Sequence, residues 1–180
     1  METKNQGGGL ADGPFNLAAD CGASGWDYAV VGYTANLARA THGTTLTHLG
    51  TGRYDVTLPS PVKNCAYLAT VGDPANNLVF APAGVSTGSG PSSRTVYIET
   101  KNPGGALSDG IPFHLAVICP SAARTEIAVV NATGIPARGS ALTSSFSPTT
   151  GQYELAASRT LSGCTAIATR GSVNKRACLL

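Results

Sequence analysis

The sequence predicts an all-β fold of two tandem β-sandwich repeats, jelly-roll or immunoglobulin-like, in circularly permuted order. Three observations predict it. Apolar residues alternate with polar ones in short runs separated by turn residues. No segment of ten or more residues keeps a helical apolar stripe free of Gly and Pro. The chain also repeats itself, which argues for two domains. Glu2-Thr3-Lys4-Asn5 returns as Glu99-Thr100-Lys101-Asn102, and Gly7-Gly8-Gly9-Leu10 as Gly104-Gly105-Ala106-Leu107. Asp12-Gly13 returns as Asp109-Gly110, and Phe15-Asn16-Leu17-Ala18 as Phe113-His114-Leu115-Ala116. A displacement of 99 residues (128 minus 29) carries Ala29-Val30-Val31 onto Ala128-Val129-Val130. The same displacement carries Ala38-Arg39 onto Ala137-Arg138, Thr51-Gly52 onto Thr150-Gly151, Tyr54 onto Tyr153, and Cys65 onto Cys164.

Each strand follows from its alternation. Phe15, Leu17, Ala19 and Cys21 share the phase of Phe113, Leu115, Val117 and Cys119. A one-residue slip would turn all of them to the other face, so a strand is expected at 14–21 with Cys21 inward. Tyr54, Val56 and Leu58 form the next inward set, then Cys65, Tyr67, Ala69 and Val71, then Val96 and Ile98. Turn chemistry separates these runs: Gly50-Thr51-Gly52, Asp73-Pro74, Pro103-Gly104-Gly105 and Asp109-Gly110. Residues 26–119 read as one complete repeat. Residues 125–180 read as a second that lacks its last strands, and residues 2–21 read as those strands. The N-terminal segment is expected to complete the second repeat, within one chain or between chains as a swapped dimer or filament. The competing reading makes it a disordered remnant.

Composition narrows the function classes. Charged residues make up 12%, about half the usual share. The formal net charge is +2, and Lys175-Arg176 is the sole adjacent basic pair, so neither nucleic acid nor an anionic membrane is an expected partner. No apolar run reaches the roughly eighteen residues of a membrane span. Met1 is followed by Glu2, Thr3 and Lys4, so no signal peptide is expected in this chain.

The repeat assigns the cysteines. Cys65 with Cys119, and Cys21 with Cys164, are the expected disulfides, leaving Cys178 as a free thiol or a link to another chain. Such pairs fit an oxidising compartment. The other reading is five buried thiols in a reducing one.

Motifs for chemistry are weak. Gly84-Val85-Ser86-Thr87-Gly88 matches G-x-S-x-G, but Ser89-Gly90-Pro91 follows where a nucleophile elbow needs a helix. His42 and His48 could share a face, without any zinc-site spacing, and His114 is expected in solvent opposite Phe113. Asp12 and Asp109, with Asn5 or Asn102, could form a calcium loop, although turn-forming Asp-Gly explains them more simply. Gly7-Gly8-Gly9 lacks the rest of a phosphate loop. Asn131-Ala132-Thr133 is a glycosylation triplet, and Trp26, Tyr28 and Tyr33 are a candidate aromatic patch. No cofactor and no metal is expected, and no catalytic residue is assigned.

Tyr28-Ala29-Val30-Val31, Gly50-Thr51-Gly52-Arg53-Tyr54-Asp55-Val56-Thr57, the run Asn64 to Asp73, Val96 to Asn102 and Pro112 to Cys119 together resemble a repeat of uncharacterised actinobacterial proteins. The likeness covers nearly the whole chain, more loosely after 125, and departs in the permuted start. It implies export and paired cysteines per unit. It carries no activity and no functional residue.

Three functions follow as expectations. The first is a non-enzymatic structural or assembly module of an exported or surface protein, built by N-terminal strand complementation and able to form a homo-oligomer by strand exchange. The alternative is an extracellular module binding a glycan or protein ligand through residues 76–94, the longest turn-rich stretch. A hydrolase with a shallow site is a third reading with no motif behind it.

Overall fold

The computed structural model describes residues 26–75, 83–120, 126–131, 133–139, 143–147, 152–157, 160 and 166–171. Twelve strands are found among them, and no helix. They are β1 (Asp27–Val31), β2 (Leu37–Ala40), β3 (Thr45–Gly50), β4 (Arg53–Thr57), β5 (Ala66–Val71), β6 (Gly84–Ser89), β7 (Thr95–Lys101) and β8 (Phe113–Ile118), then β9 (Ala128–Val130), β10 (Pro136–Gly139), β11 (Thr143–Ser147) and β12 (Gln152–Ala156).

The first eight strands make two four-stranded sheets, ordered β2-β1-β8-β5 and β3-β4-β7-β6, and every neighbouring pair is antiparallel. The inward residues of the two sheets form one core. Ala29, Val31, Tyr67, Ala69, Phe113, Leu115 and Val117 come from the first sheet, and Tyr54, Val56, Val96 and Ile98 from the second. Leu58, Val62 and Cys65 close one end of it. These are the alternating positions of the sequence, because a strand exposes every second side chain to the same face. The described residues are therefore all-β, with two sandwich-like four-stranded sheets among them. Four strands face four, unlike the four-against-three immunoglobulin arrangement. β1 meets β8, as the first and last strands of a jelly roll do, but β2 and β7 lie in different sheets.

Two expectations need correction. Residues 76–94 were expected to form a loop, yet 84–89 form β6, paired with β7 from Gly84↔Lys101 to Ser89↔Val96. Small polar residues gave no alternation to read, while the backbone ladder to β7 needs none. His114 does lie opposite Phe113, but it is half-buried instead of solvated. Gly72 makes room for the ring: a Cβ there would sit 3.1 Å from His114 Cδ2. Burial, and then the nearby Arg39 charge, lower the His114 pKa, while Asp73 opposes them.

The β9–β10 hairpin repeats β1–β2 in detail. β1 pairs with β2 as Ala29↔Ala40, Val30↔Arg39 and Val31↔Leu37, with an irregularity after Val30. β9 pairs with β10 as Ala128↔Gly139, Val129↔Arg138 and Val130↔Pro136, each position displaced by 99 (128 minus 29). The connecting turns match as well. Gly32 N bonds Asn36 O at 3.0 Å and Ala35 N bonds Gly32 O at 3.1 Å; Asn131 N bonds Ile135 O and Gly134 N bonds Asn131 O, both at 3.0 Å. The left-handed position of this turn is held by Ala35 (φ 55°) in one copy and Gly134 (φ 80°) in the other. A Cβ is disfavoured there, and glycine is not. Ala35→Gly is expected to raise the unfolding free energy by about 0.5–1 kcal/mol, the strain relief exceeding the entropy cost of glycine, as read by urea denaturation.

Candidate functional site

Three constellations stand out once the fold is assembled. The first centres on Asp109, in the loop between β7 and β8. Its Oδ1 accepts hydrogen bonds from Gly52 N at 2.7 Å and Tyr54 OH at 3.1 Å, and lies 2.9 Å from His48 Nε2. His48 stacks on Tyr54 with ring centroids 5.0 Å apart, and Tyr54 leans on Phe113 at 5.8 Å. Gly52 allows the approach: with φ +63° it has no room for a side chain, since a Cβ would meet Thr100 O at 2.5 Å. The Gly52 N–H, helped by His48 and Tyr54, holds the Asp109 carboxyl below its ordinary pKa against a smaller opposing desolvation. Burial and the Asp109 acceptor raise Tyr54. The arrangement ties the 102–110 loop to the β3–β4 turn. A His–Asp contact orients an imidazole, and among the described residues no hydroxyl or thiol is hydrogen-bonded to His48.

The second constellation joins the two units. The Arg138 guanidinium, on β10, lies over the Tyr67 ring with its carbon 4.6 Å from the centroid. One of its nitrogens donates to Lys63 O at 3.0 Å, Tyr67 OH at 3.1 Å and Ser89 Oγ at 3.3 Å. Ile127 and Val129 pack with Trp26, Ala66, Leu68 and Ile118 on the outer face of the first sheet. Thr169 Oγ1 reaches the β5 backbone at Ala69 N (3.4 Å) and Tyr67 O (3.5 Å), and Gly171 bridges Thr87 of β6 in parallel sense. Sequence reasoning missed this interface. Its one signal was Arg138 standing at the repeat position of Arg39 in a chain poor in charge.

The third is a pair of strands paired on one side. In the first unit β1 lies between β2 and β8, and β4 between β3 and β7. Among the described residues β9 pairs with β10 alone and β12 with β11 alone. Two side chains at the repeat positions of core residues are exposed. Tyr153 and Leu155 are 47% and 46% exposed, whereas Tyr54 and Val56, 99 residues earlier, are 2% and 0% exposed.

The remaining sequence candidates are placed as follows. Cys65 and Cys119 stand at disulfide distance, linking the start of β5 to the end of β8 with Cα atoms 4.1 Å apart. Cys21, Cys164 and Cys178 lie outside the described residues, as do Asp12, Asn5 and the Gly7–Gly9 run. The G-x-S-x-G match lies on β6 and runs by a turn into β7, with no helix after it. Asn102 Oδ1 accepts from Ala106 N, so both proposed calcium-loop oxygens serve internal donors. No group of three or more His, Cys, Asp or Glu that could hold a metal occurs among the described residues. Asn131 Oδ1 is turned into its own loop by Thr133 and Ile135. Trp26 packs into the inter-unit cluster, and Tyr33 is 40% exposed.

No family model, curated protein or solved structure matches the chain.

Two outcomes follow. Arg138→Ala should cost about 1–2 kcal/mol in chemical denaturation, from the lost ring contact and forked hydrogen bonds, and Arg138→Lys should recover only part of it. Asp109 titrates lower when folded than when unfolded, so its contribution is present above the unfolded pKa and lost as pH falls through the folded one. Asp109→Asn should therefore flatten the decline in stability measured on acidifying below about pH 4.

Proposed function

We propose that the chain is a non-enzymatic structural or assembly module of an exported or surface protein, whose second unit is completed by strand complementation from residues 2–21. The observation that carries this reading is that, among the described residues, β9 and β12 are each paired on one side, beside the exposed Tyr153 and Leu155. An open strand edge is a template for another strand, and an open apolar face asks for cover. The tandem-sandwich and permuted order belong to the same proposal, because residues 2–21 repeat the sequence of residues 99–119 at the end of the first unit. Export is supported by the Cys65–Cys119 pair, which an oxidising compartment would keep. Among the described residues no helix is long and apolar enough to cross a membrane. Ligand binding through 76–94 has less behind it, since part of that stretch is the strand β6.

Removal of residues 1–21 tests the proposal. Amide hydrogen exchange at Ala128–Val130 and Gln152–Ala156 should speed up by at least tenfold in the shortened chain and slow again when a synthetic 2–21 peptide is added. Equal protection with and without the segment would refute complementation.

A further inference from the structure

We infer that Asp109 and His48 form a surface site for a primary alkylammonium group, held by Asp109 Oδ2 and His48 Nδ1. The site is independent of strand completion, because every residue in it belongs to the first unit.

The hydrogen bonds at Asp109 are shared unevenly. Gly52 N, Tyr54 OH and His48 Nε2 all meet Oδ1, at 2.7, 3.1 and 2.9 Å. Among the described residues Oδ2 accepts from none. Three donors fill one oxygen, and the side chain, 48% exposed, keeps its second oxygen for another donor. The Gly52 N–H holds the Asp109 carboxyl below its ordinary range, so it is ionised near neutral pH. An ionised carboxylate only accepts, so the proton between the two side chains sits on His48 Nε2. A neutral imidazole has one N–H, which leaves Nδ1 as an acceptor. His48 is 44% exposed, and among the described residues no hydrogen bond reaches its Nδ1. The pair therefore presents two acceptors and one negative charge.

Neither group is free to turn away. The His48 ring stacks on Tyr54, which is 2% exposed and leans on Phe113 in the core. The Gly52 N–H reaches Asp109 from a backbone position where a Cβ would meet Thr100 O at 2.5 Å. Acceptors fixed in advance lose little freedom when a ligand arrives. At the positions 99 residues on, Gly52 and Tyr54 recur as Gly151 and Tyr153, whereas His48 and Leu49 become Ser147 and Pro148. Two of the residues that tie the loop are thus common to both copies, while the imidazole and its apolar neighbour belong to one.

Two acceptors with a negative charge select the ligand. An anion is repelled. A sugar diol both donates and accepts, and the pair offers it no donor. A guanidinium pairs best as a fork across both oxygens of a carboxylate, and here Oδ1 is already filled. A chelated metal would have to part Nε2 from Oδ1, and no group of three metal-binding side chains stands near them among the described residues. A primary ammonium is a compact charge with three donors, and it needs only one carboxylate oxygen. Leu49, next to His48 in the chain and 45% exposed, offers apolar surface to the methylene stem that carries such a group.

The test titrates the full chain, labelled with nitrogen-15, and follows its amide and imidazole NMR signals. Two probes carry the ammonium: Nα-acetyl-lysine methylamide, as a protein partner would present it, and glucosamine, as a surface glycan would. Two controls each lack one property. Nα-acetyl-norleucine methylamide has a methylene stem without charge, and tetramethylammonium has charge without a donor. Saturable shifts at His48 and Gly52 are expected with an ammonium probe, and the stronger of the two identifies the source. They should weaken at least about threefold between low salt and physiological ionic strength. Neither control should saturate. An equal response to tetramethylammonium or to the norleucine compound would overturn the site, as would no saturable shift with either ammonium probe. The response should also fall at least tenfold in Asp109→Asn, and an unchanged response there would count against the site as well. The comparison of probes on the unaltered chain stands whatever that substitution does to the loop.

Discussion

The backbone ladder that β8 makes with β1 on one side and β5 on the other is the constraint on which the first unit depends. β8 is the last strand of its unit and sits in the middle of its sheet. Its pairing Asp27↔Val117 closes a loop of ninety residues (117 minus 27). Until that closure the first sheet is two separated pieces, and Ala29, Val31, Tyr67 and Ala69 have no continuous surface to present to the second sheet. Non-local pairings of this kind are entropically expensive and slow to form. The Cys65–Cys119 link acts at the same place, fastening β8 to β5 beside the pair Ala66↔Ile118. The Asp109 cluster acts one loop earlier. It fixes the connection that delivers the chain from β7 in one sheet to β8 in the other, with one carboxylate oxygen gathering three donors from β3, β4 and the turn between them.

Among the described residues, the hairpins β9–β10 and β11–β12 stand without a third strand beside either. β9–β10 keeps the register of β1–β2 down to the irregularity. β11–β12 does not: Thr143 faces Ala156 where the displaced β3–β4 register would place Ser144. Hairpin register is set locally by turn and pattern, whereas the exchange between sheets needs the central strand.

Much of this was legible in the sequence because a half-buried strand writes its inward face as every second residue. The inward sets of β4, β5, β7 and β8 read directly from Tyr54, Val56, Tyr67, Ala69, Val96, Ile98, Phe113 and Leu115. β6 was not legible: Gly84, Ser86, Thr87, Gly88 and Ser89 carry no apolar rhythm, and their pairing is made by backbone atoms. The environment of His114 was missed for a related reason. Alternation gives the side of a sheet, but not whether a neighbouring strand end, here Gly72, covers it. Arg138 was invisible as a contact because its partners Lys63, Tyr67 and Ser89 are some fifty to seventy-five residues away in sequence.

A sandwich of eight strands has four borders, and a bare border invites a neighbouring molecule's backbone to extend the sheet into an aggregate. Here β5 and β6 are overlaid by the chain's own 166–171 segment and by the Arg138 side chain. β3 is broken by an irregularity between His48 and Gly50, which leaves Leu49 outside the regular ladder. β2 is only four residues long and carries Arg39, a charge on a short border. The interface between the units therefore does more than join them. By covering parts of two borders of the first sandwich, it leaves less bare backbone there for a neighbouring strand to pair with.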